Sequence, residues 1–230
     1  MNNVDKIKLK GYWRINFQPS TLKERLSIPQ CKEIVEKNSV MIRGWDYPPV
    51  FPNTENYGTL PKNTFYEGWI DDEEYIELWR MYQSGQFLHY LALREDWKEL
   101  PSEGSWKAPK KALSIIGTVY QLTEVYEFLF RLTQAKIYDE GVQVSISLNN
   151  SYERQLWMAD TRRVPSRRER KTGAANIEIP IKKLTKENII QNSREMALRD
   201  VSFIFERFGW DNQPIETFKE IQEGFFSSKF

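Results

Sequence analysis

One cysteine, Cys31, and one histidine, His89, stand among 230 residues. A lone thiol excludes an internal disulfide and any multi-cysteine zinc site. A lone imidazole excludes the histidine-rich metal centres. No apolar run approaches the roughly 18 residues of a membrane-spanning helix. Residues 1–10 contain lysines with no apolar stretch behind them, so no secretory signal is expected and the location is expected to be cytoplasmic, without membrane contact. Neither G-x-x-x-x-G-K nor G-x-G-x-x-G occurs, which removes the two common phosphate-cradling loops. G-x-S-x-G is missing too, so a serine-hydrolase elbow is not on offer. No Gly/Ser-rich linker and no internal repeat divides the chain, and a single domain over 1–230 is the expectation, with no cofactor.

What is present is charge and aromatic mass: 28% charged residues, 14% aromatic residues and eight tryptophans, a folded rather than a disordered composition. The formal net charge of +1 hides a segregation. Residues 162–171 (RRVPSRRERK) hold six cations and one anion, whereas 71–77 (DDEEYIE) hold five carboxylates and no cation. Most charge runs are solvated faces. The functional alternative for the basic run is an arm for phosphate or for an acidic partner, through Arg162, Arg163, Arg167, Arg168, Arg170 and Lys171.

The pattern of apolar positions predicts a strand over 6–18, with Ile7, Leu9, Trp13, Ile15 and Phe17 on one side. Thr21 with Glu24, and Ser27 with Gln30, have the spacing of capping boxes for two helices. Ile28, Cys31, Ile34 and Val35 form the buried stripe of the second, so Cys31 reads as a small core hydrophobe. Strands are expected at 39–45, 65–70 and 86–94. Tyr75, Leu78, Trp79 and Tyr82 predict a helix over 74–83 that Gly85 ends, with the acidic run at its positive end. A long central helix is expected near 111–135. A strand at 142–148 turns at Asn149-Asn150 and returns over 152–158. Ile177, Ile179 and Ile181 suggest an edge strand interrupted by Pro180. Thr185 caps a helix with Ile190, Ala197, Val201, Ile204 and Phe208 inward, ended by Gly209. Pro214 opens a last helix with Ile215, Phe218 and Ile221 inward. The order implies an α+β fold with a mixed, largely antiparallel sheet and helices packed on it.

Few residues offer chemistry. His89 lies in an apolar strand, where a hydrogen-bonded core role is the common one. Asp96 and Lys98 have the D-x-K spacing of metal-dependent nucleases, and Asp46 could supply a second carboxylate; in so charged a chain that spacing also arises by chance. Glu124, Glu127 and Arg131 share a helix face, and Glu127 with Arg131 forms a local ion pair. Arg43, Trp45 and Asp46 flank Gly44, an arrangement suited to a shallow pocket for a planar or anionic group, or to a satisfied strand end.

The blocks GYWRINFQP (11–19), MIRGWDYPP (41–49), WRMYQSGQFLHYLALREDW (79–97), LTEVYEFLFRL (122–132) and IFERFGWD (204–211) resemble a poorly characterised bacterial family. Its segments are similar to regions attached to Schlafen-type AlbA domains, which bind ATP or nucleic acid. The resemblance implies an accessory or sensing module working with a protein partner in trans, and it carries over no catalytic residue. The expectation is thus a non-enzymatic binding module that holds a protein partner and takes nucleic-acid backbone on its basic loop. A nuclease using Asp46, Asp96 and Lys98 and a protein-only scaffold are the alternatives.

Overall fold

The computed structural model describes residues 2–21, 25–42, 44–100, 107–158 and 169–227. The expected strand over 6–18 is correct only in its second half. Asn3–Ile7 form a short helix, α1, capped by the Asn2 side chain, which accepts the Asp5 amide. Residues 8–10 then turn, pinned by Asn150 Nδ2, which donates to the carbonyls of Lys8 and Lys10 at 3.0 and 2.8 Å. Strand β1 follows at Tyr12–Pro19. Ile7 is buried and Leu9 exposed, so the even alternation concealed one helical turn and a reversal.

Helix α2 (Ile28–Asn38) starts at the expected capping box, with Ser27 and Gln30 bonded reciprocally and Pro29 in the first turn. The box expected at Thr21 and Glu24 reaches outside the described residues. The strand expected at 39–45 is instead a two-stranded hairpin of β2 (Val40–Met41) and β3 (Asp46–Tyr47). Strands β4 (Tyr57–Pro61) and β5 (Phe65–Asp71) lead to β6 (Ile76–Tyr82) and β7 (Phe87–Ala92).

Strand β6 replaces the helix expected over 74–83. Both periodicities fit its apolar residues, but pairing decides: β6 lies between β5 and β7, antiparallel to each. Ile76 and Leu78 then face one side of the sheet, and Trp79 and Met81 belong to the core on the other. Gly85 ends no helix; at φ +83° it closes the β6–β7 hairpin.

A 3-10 turn at Arg94–Asp96 precedes β8 (Ala112–Ser114), and Ser114 caps the central helix α3 (Ile115–Gln134). Strand β9 (Val142–Asn149) follows. The return expected over 152–158 is β10 (Gln155–Trp157), which pairs parallel with β8 and not with β9. Strands β11 (Ile177–Glu178) and β12 (Lys182–Leu184) flank Pro180 and both pair with β9. Helix α4 (Lys186–Glu206) begins at the Thr185 cap, and α5 (Ile215–Ser227) is the last element among the described residues. Ile190 and Ile215, expected inward, are each 42% exposed; Ile189 takes the buried position on α4.

Eight strands form one sheet in the order β11-β9-β1-β7-β6-β5-β4, with β12 also on β9, and every pairing in it is antiparallel. With the parallel β8–β10 pair this is the mixed, largely antiparallel α+β fold. The main core lies between one sheet face and α3, which is buried on nearly all sides. Phe87 meets Phe128 of α3 edge-on at 4.9 Å. A smaller cluster of Ile7, Ile76, Leu78 and Ala92 lies beneath α1.

One buried ion pair joins the pieces. Arg154 is 1% exposed and grips Asp96 with two hydrogen bonds, at 2.9 and 2.6 Å. Asp96 also accepts the Gly11 amide, and Arg154 donates to the Ala112 carbonyl. A Cβ on Gly11 would sit 2.2 Å from Arg154 Nη2, so the close approach requires glycine. Removing one partner leaves a buried charge uncompensated. Asp96→Ala is expected to cost about 3–5 kcal/mol in urea unfolding, more than an exposed ion pair such as Lys37–Glu33 contributes. Gly68 faces Trp79 just as closely, with a Cβ due 2.3 Å from its ring. Gly68→Ala is expected to lower stability by about 1–3 kcal/mol and to change near-ultraviolet circular dichroism as the indole shifts.

Candidate binding site

Where β7 ends and α3 begins, the core opens into a cavity of about 370 Å³. Trp13 of β1, Trp157 of β10, and Trp45 and Tyr75 from two loops give it aromatic walls. Trp45 meets Tyr75 edge-on at 6.0 Å. Its polar groups include Glu77 of β6, Glu95 of the 3-10 turn, Glu99 beyond it, and Ser114, Thr118 and Gln121 at and beyond the start of α3.

Glu77 is one end of a buried chain. His89, fully buried, lies 3.0 Å from Glu77 Oε2 through Nε2 and 3.3 Å from the Tyr47 hydroxyl through Nδ1. With Glu77 ionised, Nε2–H donates to the carboxylate and Nδ1 accepts from Tyr47, which fixes the Glu77 side chain. Glu95 Oε1 accepts the Ser114 amide at 2.9 Å, placing a carboxyl at the positive end of α3. Gln121 is 8% exposed, and among the described residues its enclosed Nε2 has no hydrogen-bond partner.

On the rim, Arg94 and Lys98 both pair with Glu74, at 2.8 and 3.2 Å, and Arg94 stacks over Tyr75. Three of the five carboxylates in the acidic run 71–77 have side-chain partners: Asp71 pairs with Lys6, Glu74 with these cations, and Glu77 is hydrogen-bonded to His89.

A second hollow of about 610 Å³ shares the wall formed by Glu95, Lys98 and Leu100. It is lined by Lys10, Lys98, Lys107, Lys110 and Lys111, with the Arg154–Asp96 pair at its base. Lys107 and Lys110 are exposed and have no ion pair among the described residues.

The sequence-derived sites are distributed differently. Trp45 lines the cavity; Asp46 begins β3 and accepts the Ser39 hydroxyl; Arg43 lies outside the described residues. Asp96 is held by Arg154 and Gly11, and Lys98 by Glu74. Among the described residues no group of three or more His, Cys, Asp or Glu side chains could hold a metal ion. Arg162, Arg163, Arg167 and Arg168 lie outside the described residues. Arg170 stacks 4.8 Å over Trp210 and donates to the Gly209 carbonyl, and Lys171 pairs with Glu169 at 2.8 Å. The Glu127–Arg131 pair is present at 3.1 Å on α3, and Glu124 is fully buried. Cys31 is enclosed, and burial pushes its thiol up to about 11. No described helix is long and apolar enough to cross a membrane.

Fold and site together define an α+β protein with an aromatic, carboxylate-bearing cavity beside a lysine-lined groove. No protein-family model, curated protein or solved structure matches the chain.

Burial raises the Glu95 carboxyl above its ordinary range, against the lowering effects of the Ser114 amide and Arg154; Asp96 adds to the rise. The folded state therefore holds this proton more tightly than the unfolded chain does. Its contribution to stability is complete below the ordinary carboxylate pKa near ~4.3 and is lost as pH rises through the raised value. Glu95→Gln keeps an acceptor for Ser114 and removes the charge. It is expected to raise Tm at about pH 7–8, with the gain shrinking toward about pH 4 in a series of thermal melts.

Proposed function

We propose that the protein is a non-enzymatic module that binds a nucleotide or the end of a single-stranded nucleic acid, base in the aromatic cavity and phosphate along the lysine groove. The observation that carries this reading is the shared wall: Glu95, Lys98 and Leu100 line both hollows, so a flat ring in one has cations beside it. Bases stack on aromatic side chains, and lysines follow the backbone as point charges. The groove from Lys107 to Lys111 supports phosphate contact more directly than Arg170 and Lys171, which are engaged within the protein. A binding role suits Asp96 and Asp46, whose carboxylates already have protein partners.

The test is fluorescence anisotropy of a labelled single strand about ten nucleotides long, measured from about 50 to 200 mM salt. Affinity is expected to fall steeply with salt. Lys107→Glu with Lys110→Glu is expected to weaken binding at least about tenfold at low salt and to flatten the salt dependence, alike for all sequences. Salt-insensitive binding, or none, would remove the groove from the proposal.

A further inference from the structure

We propose that the aromatic cavity prefers a base bearing a formal positive charge, the class produced when a ring nitrogen is methylated. The inference rests on the base-binding role proposed for this cavity and adds the charge of the ring it takes.

The balance of charge on the wall leads to it. Glu77, Glu95 and Glu99 line the cavity, and its cations are Arg94 and Lys98. Both cations pair with Glu74, so four carboxylates stand against two cations at this opening. Glu77 is hydrogen-bonded to His89, whose other ring nitrogen meets the Tyr47 hydroxyl, and an imidazole that donates one N–H and accepts one adds no positive charge. The Glu77 side chain keeps 11% of its surface accessible, so it is not sealed behind the wall. Arg154 acts on Glu95 from the groove side, but Asp96 opposes that effect. Burial makes ionising Glu95 costly, and a cation seated in the cavity offsets that cost.

The remaining walls suit a flat cation. Trp13, Trp45, Tyr75 and Trp157 present rings whose faces attract positive charge, tryptophan most strongly. Tyr75 already serves in this way, with the Arg94 guanidinium 4.6 Å from its centroid. A methylated ring stacks on indole as a neutral base does and adds the attraction of its charge. A neutral base leaves the carboxylates unanswered. Among the described residues no three acidic, His or Cys side chains converge to hold a metal ion, so the compensating charge suits an organic cation better. Glu95, Lys98 and Leu100 also face the lysine groove, so a cationic ring with phosphate attached satisfies both hollows, which a free amine does not.

The experiment titrates nucleosides into the full chain at slightly acidic pH, where the methylated rings are cationic, read by calorimetry and tryptophan fluorescence. Two comparisons isolate the charge. One sets 7-methylguanosine against guanosine; the other sets 1-methyladenosine against its neutral isomer methylated on the exocyclic amine. In each the cation is expected to bind at least about tenfold more tightly. Trp45→Leu and Glu77→Gln are each expected to reduce that preference to about threefold or less. Near-ultraviolet circular dichroism would verify that each variant is folded, and the isomer comparison needs no variant at all. Equal binding of the two isomers would overturn the charge assignment. A preference that survives both variants undiminished would overturn it too, by placing the cation elsewhere. So would binding of no nucleoside while single strands still bind in a salt-dependent way, and the groove would then stand without it. Failure of nucleosides and single strands alike would overturn both the assignment and the base-and-phosphate reading beneath it.

Discussion

A guanidinium withdrawn from water has to be neutralised where it lies, and the region around Arg154 is organised by that demand. Asp96 answers it with both carboxylate oxygens, and Ala112 lends a carbonyl. Three stretches far apart in sequence thereby meet at fixed distances: the start of β1 through Gly11, the 3-10 turn after β7, and the β8–β10 pair. Desolvation makes such a pair an expensive way to gain stability, so its value here lies in position. Glu95 comes directly before Asp96 in the turn and Ser114 closes β8, so clamping these elements sets the Glu95–Ser114 contact and the origin of α3.

That placement separates two surfaces of opposite character. On one side of the 94–100 segment the walls are indole, phenol and carboxylate; on the other they are lysine. The polar groups on the aromatic side come from rigid elements. Glu77 is in an interior strand of the sheet and is held by a buried imidazole, and Gln121 is two turns into a helix packed on nearly all sides. Such groups lose little freedom when a ligand arrives, which is the condition for selectivity from few contacts.

Much of the framework was legible in the chain. The alternation in β9, the Ser27 and Thr185 caps and the long helix each had one consistent reading, and the structure follows them. Segment 74–83 misled because IELWRMY satisfies the helical and the extended period at once; only its neighbours in the sheet resolve it. Residues 6–11 misled because a single capped turn mimics alternation. The site was harder to read. Trp45 drew notice beside Gly44, and the lysines of KAPKK (107–111) offered a signal that the denser arginine run overshadowed. Gln121 and Glu77 carried none, since a polar residue in an apolar stripe becomes informative only when its bonding partners can be counted in space.

Cys31 is sealed in the core with its proton held tightly, so the native chain presents no ready thiolate to solvent. A cysteine introduced on the surface would consequently be the dominant target for maleimide dyes or spin labels. The wild-type background thus already suits distance measurements across the sheet, with no prior removal of its natural sulfur.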